Sequence, residues 1–318
     1  MSAKKPSSIK DKAVGLPAGT LRLGLCCQFA EVDIAFRTTT ATAMGKLAKP
    51  ARLARLGDLC LGNARALRRA LEWCAANGVG SFRINSQLFP VQTHPSSGYR
   101  IDELPVAEAL VAELKACAAF ARSKGLRTGF HPDQFVVLSS PDEEVVRRSL
   151  ADLEAQSEIA ELVGADTVNI HGGGGYGDKP AALARFRKNA DRLSSRARSR
   201  LTVENDDKTY SPEDLLPLCR DTGIPLVYDV HHHRCHADSL SVREATEAAI
   251  SSWTREPLFH ISSPLEGWKG KGPERHHDYI DVADFPKEWR GLGITVEVEA
   301  KAKELAVIKL KNALGPQA

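Results

Sequence analysis

Short apolar runs alternate with longer amphipathic stretches along most of this chain. The runs are LRLGLCC (21–27), VGSFRIN (79–85), LRTGFH (126–131), ADTVNIH (165–171), RLTVEN (200–205), IPLVYDV (224–230), PLFHIS (257–262) and LGITVEVE (292–299). Each has the length of a strand buried on both faces, as strands of a parallel sheet are. Between them, apolar residues return at helical spacing over 56–78, 102–125, 142–164, 180–198, 212–222, 240–253 and 300–310. Gly78 and Gly125 supply stop signals, and Ser211-Pro212 opens a helix. Segment 274–290 is less regular, with room for a short helix. The alternation predicts parallel strands joined by crossover helices, and eight units at this length predict a (β/α)8 TIM barrel in one domain over 21–314. A doubly wound open sheet is the competing arrangement, but it gathers its chemistry at one switch point. Residues 1–20 hold Lys4, Lys5, Lys10 and Lys12 among Ser, Pro and Gly. They predict a basic tail without regular structure, the competing reading being an arm on a phosphate backbone.

The polar residues at the ends of the apolar runs change the picture from a fold to a site. Asn85, Gln87 and His94 follow the second strand. The third ends in His131, the fourth in His171 and the fifth in Glu204. The sixth delivers Asp229 and then His231, His232, His233 and His236. His260 lies on the seventh, His276 and His277 follow it, and Glu299 closes the eighth. All ten histidines fall at these C-terminal ends or in the following loops, and none in a predicted helix. In a barrel those ends form one face, where active sites are built. Any one of these residues has a bland alternative: a His-rich surface loop, or Glu204 capping a turn before Asn-Asp-Asp. Together they point to a polynuclear metal centre of imidazoles and carboxylates. That donor set suits Mn²⁺, Zn²⁺, Co²⁺ or Fe²⁺ and argues against a thiolate zinc site. So many ligands exceed the needs of one ion, and two or three ions about 3.5–4 Å apart are a geometry for phosphoester hydrolysis. Glu204, between the His171 and Asp229 strands, is the candidate bridge.

Bulk properties narrow the class. The 318 residues are 42% hydrophobic and 26% charged, with a net charge of only +3, too small to argue for nucleic acid by itself. No apolar run approaches the roughly 18 residues of a membrane span, and no apolar stretch follows the N-terminal lysines as in a secretory signal. The seven cysteines form no CxxC pair, which predicts reduced thiols and a cytoplasmic protein. A monomer with no membrane partner is expected. The Gly-rich NIHGGGGYGDK (169–179) lacks Walker spacing and reads either as a close backbone approach to substrate or metals, or as a plain flexible loop.

These motifs resemble the UV-damage endonuclease family. The matching segments are FRTTT (36–40), FRINSQLFPVQTHP (82–95), HPDQFVVLSSP (131–141), NIHGGGGYGDK, LTVENDD (201–207), YDVHHH (228–233), FHISSP (259–264), HHDYID (276–281) and VEVEAKAKE (296–304). The resemblance implies a TIM-barrel nuclease related in architecture to endonuclease IV. It implies nicking of double-stranded DNA immediately 5′ to cyclobutane pyrimidine dimers and 6-4 photoproducts with two or three divalent ions, Mn²⁺ foremost. Carried over by motif, the metal ligands are His94, His131, His171, Glu204, Asp229, His232, His260, His277 (chosen over His276) and Glu299. Of these, Glu204, His232 and Glu299 are the catalytic candidates, and Gln134 and Phe135 the pair that probes the lesion. The expected chemistry is attack on phosphorus by metal-activated water, leaving a 3′-hydroxyl and a 5′-phosphate. Lys46, Lys49, Arg52 and Arg55 are candidate phosphate contacts, or a solvated surface segment. Two positions depart from the pattern. Leu25 stands where the family has an aromatic that helps at the lesion. Leu258 stands where it often has a lysine that becomes carboxylated and joins the metals, so no carboxylated lysine is expected there. A metal-dependent sugar isomerase or epimerase of the same barrel type is the alternative function, and a metal-binding module without catalysis a third.

Overall fold

The computed structural model of the protein describes residues 19–315. Most of the segment expected to be a basic tail, residues 1–18, lies outside the described residues. The elements run β1 (Arg22–Cys26), α1 (Ala41–Gly45), α2 (Lys49–Asn77), β2 (Ser81–Ile84), α3 (Ala107–Ser123), β3 (Arg127–Phe130), α4 (Glu143–Val163), β4 (Thr167–His171), α5 (Lys179–Ala190), α6 (Ser195–Arg198), β5 (Leu201–Glu204), α7 (Pro212–Thr222), β6 (Leu226–Asp229), α8 (Val230–Cys235), α9 (Val242–Ser251), β7 (Leu258–Ile261), β8 (Thr295–Val298) and α10 (Glu304–Leu314). The strands pair in sequence order, all parallel, and β8 closes on β1. This is the single-domain TIM barrel expected from the alternation. No helix among the described residues is long and apolar enough to cross a membrane.

Local chemistry explains most boundaries. Asp142 caps α4 by accepting from the Glu144 amide, and Gly164 ends it in the left-handed region at φ 71°. Ser211 and Asp214 form a capping box on α7. Several boundaries differ from the expected ones: the helix expected from 102 begins at Ala107, and the last helix runs Glu304–Leu314 rather than 300–310. Helix α2 begins at Lys49, because Pro50 sits in its first turn, where a missing N–H costs nothing. Lys49, Arg52 and Arg55 are therefore helical rather than loop residues, and Lys49 pairs with Glu103 at 3.0 Å. The helix expected over 180–198 is interrupted, with Ser194 capping the short α6. The histidines His231–His233 lie in a six-residue helix directly after β6, not in an open loop. Asp229 caps that helix through the His232 amide at 2.7 Å. Segment 274–290 holds two 3₁₀ turns, at Val282–Asp284 and Lys287–Trp289.

The strands alternate between two environments. In β6, Leu226 and Tyr228 belong to the main core between sheet and helices, whereas Val227 packs with Leu258 and Trp253 in a separate small cluster. The period of two puts Asp229 on the same face as Val227 and His260 on the same face as Leu258. The barrel interior is therefore apolar at that level and polar towards the strand ends. There Glu204, Asp229, His260 and Glu297 are all at most 1% exposed. The apolar outer faces of the same strands stabilise the barrel that holds these charges.

The long β1–α1 loop is fastened by two buried side chains. Glu304, at the start of α10, accepts from the amides of Ala30 and Glu31 at 2.6 and 2.7 Å and of Val32 at 3.2 Å. Asn63 of α2 accepts from the Arg37 amide at 2.8 Å and donates to the Arg37 and Leu88 carbonyls at 2.9 Å. Glu304→Ala removes the buried carboxylate that accepts from three partly buried amides, a loss of about 1–3 kcal/mol. Its expected result is a lower melting temperature and faster limited proteolysis between residues 28 and 38, with the far-ultraviolet circular dichroism of the barrel retained.

Candidate metal centre

Strand register assembles the site. His171 lies beside Glu204 across β4 and β5, and Asp229 beside His260 across β6 and β7. Ligand atoms fall into three groups, each within 4.8 Å: His131, His171 and Glu204; Glu204, Asp229 and His232; Asp229, His260 and Glu299. Glu204 belongs to the first two groups and Asp229 to the last two, so two carboxylates link the three. Glu204 Oε2 lies 3.0 Å from His131 Nε2, and its Oε1 lies 3.1 Å from His260 Nδ1 and 3.4 Å from His232 Nδ1. The two oxygens thus face different imidazoles. Asn169 Nδ2 donates to Glu204 Oε2 at 2.5 Å, and Thr202 Oγ1 donates to Asn169 Oδ1 at 2.9 Å.

The donor set fits divalent cations. His171 Nδ1, Asp229 Oδ2 and His260 Nδ1 are buried without a well-formed hydrogen bond. Orphaned polar atoms of this kind are costly unless something else satisfies them, and here they point into one cluster of imidazoles and carboxylates. Burial pushes the Glu204 carboxyl up, but His260, His171 and the hydrogen bonds from His131 and His232 overcome it and hold it well below the usual carboxylate range. Burial also opposes ionisation of Glu299, which Arg83 and His260 reverse to the same effect. Burial disfavours the charged ring of His232, yet Asp229 and then Glu204 raise it to about 10. His260 is raised well above the ordinary imidazole value, burial being outweighed by Glu204 and Glu297. His171 is lowered, chiefly by burial. The carboxylates are thus charged and hold protons on two of the imidazoles, protons that a cation must displace.

Seven of the nine ligands carried over by motif meet in these groups: His131, His171, Glu204, Asp229, His232, His260 and Glu299. Two do not. His94 is exposed, and its Nδ1 accepts from the Ser96 amide at 3.3 Å. It lines a cavity of about 540 Å³ with Gln87, Asp133, Arg147 and Asp152. His277 Nδ1 accepts from the Tyr279 amide at 3.0 Å and is turned to its own loop. Its neighbour His276 faces the cluster instead, with Nδ1 3.9 Å from Glu299 Oε2 and its ring 6.3 Å from that of His232. The backbone of residue 277 is tied to Ser263 and the Nδ1 of its ring to Tyr279, so among the described groups it is His276 that lies beside the cluster.

Phe135 is 76% exposed and Gln134 is exposed beside it, so neither plugs the core. Leu25 is fully buried in the main core, and Leu258 is buried against Val227 and Trp253. The sequence reading missed Asn169, Thr202, Arg83 and Glu297. Three of them stand two residues before a residue of the cluster or its strand end: Asn169 before His171, Thr202 before Glu204 and Glu297 before Glu299. Period-two polarity within a buried strand is the signal that could have found them.

A family model for the UV-endonuclease UvdE matches residues 21–316. The chain is 34% identical over 303 residues to the UV DNA damage endonuclease of Deinococcus radiodurans, covering 91% of this chain and 94% of that protein. It is 35% identical over 274 residues to the UV-damage endonuclease of Neurospora crassa, covering 80% of this chain but only 40% of that longer protein. Among solved structures, SacUVDE superposes with a TM-score of 0.83 at 27% identity, over 93% of this chain and 98% of that one. Endonuclease IV from Thermus thermophilus gives a TM-score of 0.59 at 17% identity over 92% and 97% of the two chains, a likeness of fold alone.

The raised imidazoles generate a pH dependence. An ordinary histidine titrates near 6.5 in the unfolded chain, and His232 titrates at about 10 when folded. Its contribution to stability is complete below about pH 6.5 and is lost as pH rises towards 10. Chelator-treated protein should therefore melt at progressively lower temperature from pH 6.5 to 10. Divalent-ion uptake should tighten with pH and release protons, readable by calorimetry in buffers of different ionisation enthalpy. A melting temperature of the metal-free protein that rises across this window would contradict the assignment.

Proposed function

This chain belongs to the UV-endonuclease UvdE family, and from that premise we propose that it is a DNA repair endonuclease that hydrolyses the phosphodiester 5′ to UV photoproducts in double-stranded DNA. The substrates in this reading are cyclobutane pyrimidine dimers and 6-4 photoproducts. The observation that carries it is the run of three linked donor groups at the mouth of a barrel matched by the family over nearly its whole length. The ligands we propose are His131, His171, Glu204, Asp229, His232, His260 and Glu299, with His276 as the further imidazole. Two or three divalent ions, with Mn²⁺ foremost, would neutralise phosphate charge and make a water acidic enough to attack phosphorus at neutral pH.

The protein's part is placement. Glu204 is held by Asn169 on one oxygen and faces His232 and His260 with the other, so it keeps two groups of donors at a fixed separation. Asp229 does the same for the second pair of groups and also fixes α8, which carries His232. Gln134 and Phe135 are exposed in the loop after β3, where Asp133 Oδ1 accepts from the Phe135 amide at 3.1 Å. In this reading Phe135 wedges into the duplex and Gln134 fills the place of a displaced base. Unstacking costs a few kcal/mol, less at a damaged step, so such a wedge favours damage over intact DNA.

The first test is nicking of UV-irradiated plasmid with and without chelator, beside an aldose isomerisation assay. Chelator-sensitive nicking restricted to irradiated plasmid is the expected result, and isomerisation without nicking would transfer the site to sugar chemistry. Glu204→Gln should keep the fold and abolish nicking, since it removes the charge between donor groups while preserving shape. Near wild-type nicking at full metal occupancy would remove Glu204 from the centre.

The wedge has its own test. Gln134→Ala with Phe135→Ala should leave the melting temperature and metal content nearly unchanged, because both side chains are exposed. Binding to photoproduct-containing duplex should fall far more than binding to intact duplex, which rests on phosphate contacts. Competition binding at fixed salt reads this out, and an equal loss on both duplexes would refute a role in reading damage.

A further inference from the structure

We propose that Glu297 is a positioning residue for the metal centre: it holds the proton-bearing edge of His260 so that the opposite ring nitrogen is presented to the ligand cluster. The inference rests on the metal-dependent reading above. His260 and Glu297 are register partners on β7 and β8. Their side chains meet inside the barrel, with His260 Nε2 3.1 Å from Glu297 Oε2. The other ring nitrogen, Nδ1, lies 3.1 Å from Glu204 Oε1 and 3.4 Å from Glu299 Oε1, on the side where the donor groups gather. The ring is fully buried and Glu297 is 1% exposed. A neutral imidazole that ligates through one nitrogen must carry its proton on the other, and a carboxylate at that second nitrogen fixes both the tautomer and the ring's orientation.

The surroundings are shaped for this carboxylate. Gly24, its register partner on β1, has no side chain, and a Cβ there would stand 3.1 Å from Glu297 Cγ. Arg83 supplies countercharge, with Nη1 3.5 Å from Glu297 Oε2 and in close contact with Glu299. Leu258, two residues before His260, packs against Val227 and Trp253 and offers His260 no polar partner. A buried carboxylate is expensive to keep, and Glu297 sits where its contacts are the ring that faces the donor groups and the arginine that steadies Glu299. A countercharge for Arg83 alone would not need to reach His260.

The two roles separate experimentally. Glu297→Gln keeps an oxygen that can accept from His260 and removes the charge facing Arg83, whereas Glu297→Met removes both at similar volume. Equilibrium dialysis against a buffered Mn²⁺ series, with bound metal per protein measured, is the primary readout. Melting of the metal-free proteins and the kcat and KM of nicking accompany it. For Glu297→Met the expected result is a roughly 10–100-fold loss of affinity, the range for removing an orienting partner of a ligand histidine. Its nicking should lose kcat with little change in KM, because the substrate surface is untouched. Glu297→Gln should recover most of the affinity. Gly24→Ala puts a methyl 3.1 Å from both Glu297 Cγ and Ser81 Cβ without altering charge and should weaken Mn²⁺ binding, which serves if Glu297→Met does not fold. Wild-type metal affinity in Glu297→Met, or in Gly24→Ala should the methionine variant not fold, overturns the proposal. So does a Gln variant as impaired as Met, which would leave Glu297 as countercharge for Arg83. Wild-type protein that takes up no Mn²⁺ and nicks irradiated plasmid in chelator overturns the metal-dependent reading itself and this proposal with it.

Discussion

The burial of Glu204 is the constraint on which the site depends. Its carboxylate is 1% exposed at the end of a strand and would be neutral if burial acted alone. It stays ionised because His131 touches one of its oxygens while His232 and His260 lie by the other. Those imidazoles come from the end of β3, from α8 just after β6, and from β7, so the charge can exist only after the barrel has closed. Conversely, His260 is protonated in the metal-free protein only because Glu204 and Glu297 surround it. The charges at the centre are mutually dependent, and a cation that replaces the protons inherits a site already held in shape.

The cost of that arrangement is carried by the other face of the same strands. Tyr228 and Phe259 pack on Trp289 with ring centroids 6.1 and 5.2 Å away, and the Trp289 indole donates to Thr246 of α9. These residues neighbour Asp229 and His260 in sequence and point the opposite way. One strand residue therefore anchors the barrel to its helical shell while the next faces the cluster. A one-residue slip would put an apolar side chain among the donors and a charge in the core, so burial on both faces specifies the register strongly.

Much of this was legible in the sequence because both periods were clean. The eight apolar runs match the eight strands, and the polar residues at their ends include the seven that meet in the three donor groups. What was not legible depended on local geometry. HHHRC reads as a loop, but Asp229 caps a helix there, turning His232 towards Glu204 while His233 is taken by Tyr228 and Asp238 at 2.7 and 2.9 Å. His276 and His277 are indistinguishable by composition. They separate only because the 277 amide is bonded to the Ser263 carbonyl, and the 277 ring accepts from Tyr279. His94 lies in a turn-rich segment where spacing says little about direction.

The same logic bears on how much of the site can vary. Outer faces tolerate exchange among apolar residues of similar volume. Inner positions are coupled pairwise across register partners, as Gly24 is to Glu297 and Glu297 to His260. At Leu258 this chain places an apolar side chain on the inner face, and it packs with Val227 and Trp253 rather than facing Glu299. The carboxylate nearest to the buried Nε2 of His260 then comes from β8, not from β7. What must be preserved is the pairing of each buried charge with a partner that only the closed barrel can bring to it.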